Sequence, residues 1–205
     1  MVRALLLLLI FLAGCTTAQK SHISNSSPQV RVEEELPEFY VRGVEIEGEK
    51  LEEMKNQIIR ALVPLPGVTY EAINVTATEL GTGLNLEVVA SSRVSEGLDI
   101  YRFYYDPGSR KITLKGYVLE AIPPTVRSKA VSIALYSEEM QRILSENAIA
   151  VEPRVRRILP ETAAKYYAPK TLFSVTWSDF EKRVVVSALV DLDNGRVVQT
   201  WTGRG

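Results

Sequence analysis

Val184-Val185-Val186-Ser187-Ala188-Leu189-Val190-Asp191-Leu192-Asp193-Asn194-Gly195-Arg196-Val197-Val198-Gln199-Thr200-Trp201 reads as strand, turn and strand. β-Branched residues crowd both arms, and such side chains suit a pleated, half-buried surface. Asn194-Gly195 suits a two-residue hairpin loop, because glycine accepts the positive φ that such a loop needs. Folding the arms about that loop assigns faces by the period of two. Leu192, Val190, Ala188, Val197 and Trp201 are expected to face a covering helix. Asp191, Leu189, Val185, Val198 and Thr200 are expected to face away. An outer face holding Val185, Leu189 and Val198 is more apolar than a solvated surface requires. It either buries against the first of two units into which the chain divides or receives a partner.

A related hairpin lies upstream. Tyr105-Asp106-Pro107-Gly108-Ser109-Arg110-Lys111-Ile112 resembles Leu192-Asp193-Asn194-Gly195-Arg196-Val197, an Asp-x-Gly turn followed by Arg and a strand. Here Phe103 is expected to pair with Ile112 and Tyr101 with Leu114 toward a helix, with Arg102, Tyr104, Lys111 and Thr113 turned away. The elements before each hairpin repeat too. Leu51, Met54, Ile58, Ile59 and Leu62 recur at helical spacing until Pro64 and Pro66. Strand-like runs follow at 68–78, 84–92, 99–105 and 111–118. After Pro123-Pro124 a second helix is expected from Thr125 to about Asn147, with Val126, Ala130, Ile133, Ala134, Met140, Ile143 and Leu144 apolar. Runs at 151–159, 171–177, 183–193 and 196–201 complete the second set. The expected fold class is α+β: two tandem units, 38–121 and 122–205, each a helix packed on an antiparallel sheet. Between strands, Lys165-Tyr166-Tyr167 before Ala168-Pro169 is a candidate aromatic contact loop, so Tyr166 and Tyr167 join Val185, Leu189 and Val198 as candidate binding residues.

The N-terminus reads as an address. Arg3 precedes an apolar run from Ala4 to Ala13, too short for a hydrocarbon core that needs roughly 20 residues. Leu12-Ala13-Gly14-Cys15 follows, and it resembles the lipobox of prokaryotic lipoproteins. That resemblance implies a signal peptide over 1–14, a diacylglyceryl group on the Cys15 thiol, and anchoring at the extracytoplasmic face of the cell membrane. Paired acyl chains anchor stably where one is marginal. Residues 15–37 then form a polar, flexible tether that ends in Glu33-Glu34-Glu35. As a coil of about 20 residues it would reach roughly 25 Å. Asn25 and Asn74 each begin a glycosylation sequon, a short pattern that arises often by chance.

Composition excludes several kinds of chemistry. One Cys and one His cannot build a Cys/His zinc site or a Cys-His catalytic pair, and His22 sits in the tether. A net charge of −1 gives no field to draw nucleic acid. No phosphate-binding loop, dinucleotide fingerprint or nucleophile elbow is present. Asp191-Leu192-Asp193-Asn194-Gly195 resembles part of a calcium loop but lacks the third spaced ligand and the closing Glu, so it reads as a hairpin turn. No catalytic residue, metal or cofactor is expected, and the chain reads as a non-enzyme.

A second resemblance covers 125 to the end. Lys129-Ala130-Val131-Ser132-Ile133-Ala134-Leu135 on the helix, with Val184 to Val198, is similar to PepSY-type domains of exported and membrane-attached prokaryotic proteins. Some of these are proposed to restrain peptidases, and their build is like that of cystatins. The resemblance implies two cystatin-like units and no catalytic residues. The expected function is a lipid-anchored extracytoplasmic binding module that restrains a peptidase or holds a protein partner at the cell surface. The alternative is a structural or assembly factor of a cell-envelope complex.

Replacing Cys15 with Ser should release the protein from membranes or leave an unprocessed precursor. Intact-mass measurement of the wild-type protein should show a diacylglyceryl adduct on Cys15, and a free thiol there would refute the anchor.

Overall fold

The computed structural model describes residues 37–44, 46 and 48–204. The expected signal peptide, Cys15, Asn25 and the expected tether as far as residue 36 lie outside these residues. The first described element is β1 (Glu38–Gly43), a strand that the hydropathy pattern did not single out, followed by α1 (Glu49–Ala61). Glu49 and Glu52 in the first turn of α1 and Arg60 in its last complement the helix dipole. Met54 and Ile58 point into the core. Leu62 turns extended and Pro64 prevents continuation. A meander follows: β2 (Ala72–Leu80), β3 (Gly83–Ser91), β4 (Asp99–Asp106) and β5 (Lys111–Leu119). Then come α2 (Pro124–Tyr136), α3 (Glu138–Glu146), β6 (Arg154–Ile158), the short α4 (Pro160–Ala163), β7 (Leu172–Asp179), β8 (Val184–Asp191) and β9 (Arg196–Arg204).

The nine described strands join one sheet in chain order. Every neighbouring pair is antiparallel except β1 and β2, which run parallel with α1 as the crossover. Gly43 ends β1 with φ of 102°, and a Cβ there would collide with the Ala77 carbonyl oxygen, so only glycine fits. β5 and β6 meet through Leu119 and Arg157 alone, which divides the sheet into two similar halves. In each half, helix precedes four antiparallel strands. The fold is thus α+β with a mostly antiparallel sheet. A continuous apolar layer lies beneath the helices, joining Met54, Ile58, Tyr101 and Phe103 to Ala130, Met140, Val175 and Ala188.

Several expectations are corrected. The second helix is two helices, broken at Ser137, whose φ and ψ of −71° and 120° are extended. The apolar spacing from Ala134 to Met140 is one residue short of two helical turns, so an unbroken helix would rotate Met140 off the core. The loop at Asn194-Gly195 has four residues rather than two, closed by Asp191 opposite Arg196. In β8 and β9, Leu189 pairs with Gln199 but Val190 with Val197, so Val198 is bulged. A bulge inverts the parity of everything beyond it. Trp201 therefore lies opposite Ser187 on the outer face, and Thr200 turns to the helix side, where its hydroxyl donates to Glu139 of α3 at 2.9 Å. A second bulge skips Lys115, so Phe103 pairs with Leu114 and Tyr105 with Ile112. Tyr101 pairs with Tyr117 instead of Leu114.

Three hairpins share one loop design. Each begins on an Asp and closes after four residues, the fourth in the left-handed region: Asp106 with Arg110 (φ 52°), Asp179 with Arg183 (φ 53°) and Asp191 with Gly195 (φ 60°). The carboxylate accepts hydrogen bonds inside the loop. Asp106 takes the Gly108 N–H at 2.9 Å, Asp179 the Lys182 N–H at 3.0 Å, and Asp191 the Asn194 N–H at 3.2 Å. All three carboxyls are held below their usual range. The Ser109 hydroxyl does this for Asp106 and the Lys182 N–H for Asp179. At Asp191 burial pushes upward, but donation from Lys170 and Asn194 outweighs it.

No atom crowds the position that a Gly195 Cβ would take, so a side chain there meets backbone strain alone. Gly195→Val should cost about 1–3 kcal/mol by denaturant titration. Asp193→Asn should be nearly neutral, and neither melting curve should move with calcium or chelator. A calcium-dependent shift lost in Asp193→Asn would overturn the hairpin assignment.

Candidate binding surface

The outer face of the second half is partly closed by the chain itself. α4 crosses it, and Ala163, Leu172 and Leu189 form a small buried cluster with Ile158 and Val198 packed beside it. Leu189 is thus covered from within and Val198 half-covered. Val185, further along β8, remains 41% exposed.

The turn after α4 presents the aromatic residues. The Tyr166 and Tyr167 N–H groups both bond the Ala163 carbonyl, at 3.0 and 2.9 Å, which extends the helical turn past α4. Tyr166, 57% exposed, meets the Trp201 ring edge-on, with centroids 6.4 Å apart and planes at 89°. Trp201 is itself 38% exposed. Tyr167 is held by cations: Lys170 lies 5.7 Å from its ring centre and Arg196 5.5 Å, and the Arg196 guanidinium donates to its hydroxyl. Lys170 also bridges the buried Asp191. The β8–β9 loop is therefore tied to the aromatic turn through Asp191, Lys170, Tyr167 and Arg196. Beside Trp201 on this face runs a row of hydroxyls, Ser187, Thr176 and Ser174, linked at 2.9 and 3.2 Å.

Of the expected contact residues, Tyr166, Tyr167 and Val185 are exposed, whereas Leu189 is not. Trp201 belongs with them, and only the bulge at Val198 reveals it. This surface is an open face rather than a cleft. Its chemistry suits contact: aromatic edges, a short apolar strip and fixed cations. Among the described residues, no group of three or more His, Cys, Asp or Glu side chains stands close enough to hold a metal ion.

A second polar cluster is buried at the seam between halves. Arg157 of β6 meets Asp99 of β4 at 3.4 Å, both almost fully buried. Asp99 also accepts the Tyr70 hydroxyl at 2.5 Å and the Ala121 N–H at 2.7 Å. Tyr101 bonds Tyr70 at 3.0 Å and the Val63 carbonyl at 3.2 Å, and Arg157 donates to the same carbonyl. Burial pushes both phenols above their ordinary range, so they remain protonated donors. Among the described residues no buried side-chain nitrogen or oxygen lacks a hydrogen-bond partner, and the cluster acts as a clamp.

No family model matches the chain, and neither curated proteins nor solved structures yield a match.

Breaking a buried ion pair from one side leaves an uncompensated charge. Arg157→Met should therefore lower unfolding free energy by about 3–5 kcal/mol in urea titration, whereas loss of the exposed Arg102–Glu87 pair should cost at most about 1 kcal/mol. Equal effects would refute the clamp.

Proposed function

We propose that the protein is a lipid-anchored, extracytoplasmic binding module that holds or restrains a protein partner, with Tyr166, Tyr167, Trp201 and Val185 as its contact face. The observation that carries this reading is the Tyr166–Trp201 pair, two large aromatic side chains left exposed on a sheet face that α4 covers only in part. Exposed tyrosine and tryptophan in a fixed arrangement are the side chains that anchor protein interfaces most strongly. Fixing of Tyr167 by Lys170 and Arg196 lowers the ordering cost of contact.

In this reading the two halves are cystatin-like units in tandem, the second PepSY-like. The repeated order of helix and four antiparallel strands supports the duplication, as does the Asp-started four-residue loop that closes the last hairpin of each half. The resemblance of the second unit makes a peptidase the first partner to test. The unit is not itself an enzyme, and it requires no cofactor or nucleic acid.

A photoreactive phenylalanine analogue at Tyr166 of the full chain, irradiated in intact membranes, should capture a peptidase. Trp201→Ala should weaken the affinity of the purified pair by roughly tenfold to a hundredfold. Capture of an envelope structural protein instead would favour an assembly role. Unchanged affinity in Trp201→Ala would remove this face as the contact surface.

A further inference from the structure

The free edge of β1 carries a self-complementary pattern. The Glu38 N–H bonds the Glu71 carbonyl at 2.8 Å and the Val44 N–H bonds Ala77 at 3.2 Å. In a parallel ladder of this register, even-numbered residues of β1 turn their backbone groups to β2. Phe39 and Val41 therefore turn N–H and C=O to the open side, where no described strand pairs with them. The side chains alternate too. Glu38, Tyr40 and Arg42 are exposed on the open face, while Phe39 and Val41 lie on the helix side. There they line a shallow groove of about 610 Å³ with Val44, Ile46 and Leu51 and the charged Glu52 and Lys55.

We propose that a second copy of this chain pairs antiparallel along β1, about a two-fold axis through Tyr40. That register sets Phe39 opposite Val41 of the other copy, so the outward N–H and C=O groups of each satisfy those of its partner. It places Glu38 opposite Arg42 twice over, and opposite charges in directly opposed positions attract. On the helix side it brings the two grooves together, each of mixed apolar and charged lining. Shifting the axis to Phe39 or Val41 loses the charge pairing, so charge selects the register. The other edge of the sheet is built differently. β9 carries Arg196 near one end and Arg204 at the other, so antiparallel self-pairing about its middle opposes arginine to arginine, and the Val198 bulge disrupts its ladder. The dimer thus forms at β1 and leaves the aromatic face near β9 free. It does not depend on the function proposed for that face.

Tyr40 is 55% exposed, so its replacement does not threaten the core. At a non-hydrogen-bonded antiparallel pair the two Cα atoms stand about 4.5 Å apart, within disulfide reach. The full chain carrying Tyr40→Cys, purified in detergent at low occupancy and oxidised, should give a covalent dimer. Glu38→Cys should give roughly tenfold less, because four residues of offset separate the paired sulfurs by about 13 Å. The wild-type chain, with Cys15 alone, controls for the native cysteine. Adding Arg42→Glu to Tyr40→Cys should abolish the cross-link, and adding Glu38→Arg as well should restore it. Equal cross-linking of the Tyr40→Cys and Glu38→Cys chains, or no recovery in the double charge swap, would overturn the proposal; a monomer throughout would do so too.

Discussion

The seam of the sheet is braced by a buried ion pair, Arg157 with Asp99. β5 and β6 share a single bridging pair, too little hydrogen bonding to hold two halves in register. The seam is secured by side chains: a guanidinium from β6, a carboxylate from β4, two phenols, and the Val63 carbonyl from the loop after α1. Such a cluster is expensive to bury and tolerable only when its buried polar atoms find partners, as they do here. It also imposes a constraint. Arg157 reaches Asp99 only if β6 enters beside β5 at one register, which sets where β7, β8 and β9 follow.

That register decides what the second half presents to solvent. The short strand β6 leads straight into α4, which folds over the outer face and buries Leu189 and Leu172. The turn behind α4 then carries Tyr166 and Tyr167 to the β8–β9 hairpin, where Asp191 and Arg196 receive Lys170 and Tyr167. The aromatic face is therefore a product of chain path as much as of composition. The proposed contact surface and the proposed dimer edge lie at opposite ends of one sheet, so each can operate without occluding the other.

The bulges illustrate how little is needed to redirect a surface. One extra residue at Val198 moves Trp201 from the helix side to the outer face and Thr200 the other way. Had β9 paired without it, Trp201 would lie beneath α3 and Tyr166 would stand alone. Likewise Ser137 breaks what periodicity presents as one helix, because the apolar spacing slips between Ala134 and Met140.

Local chemistry made much of this legible from sequence alone. Periodicity marked α1 and α2, alternation marked eight of the nine described strands, and Asp-containing turns marked two of the hairpins, since each signal lies within a few residues of the structure it specifies. Tyr166, Tyr167 and Val185 were recognisable as candidate contacts for the same reason. Tertiary structure alone decided the rest. β1 becomes a strand only because β2 lies beside it, and its own pattern is too short to declare itself. The Asp99–Arg157 clamp joins groups 58 residues apart, with no local trace in either strand. The bulges, the cover over Leu189 and the exposure of Trp201 follow from pairing between strands. A period of two reports which residues share a face, but only the partner strand determines where that count slips.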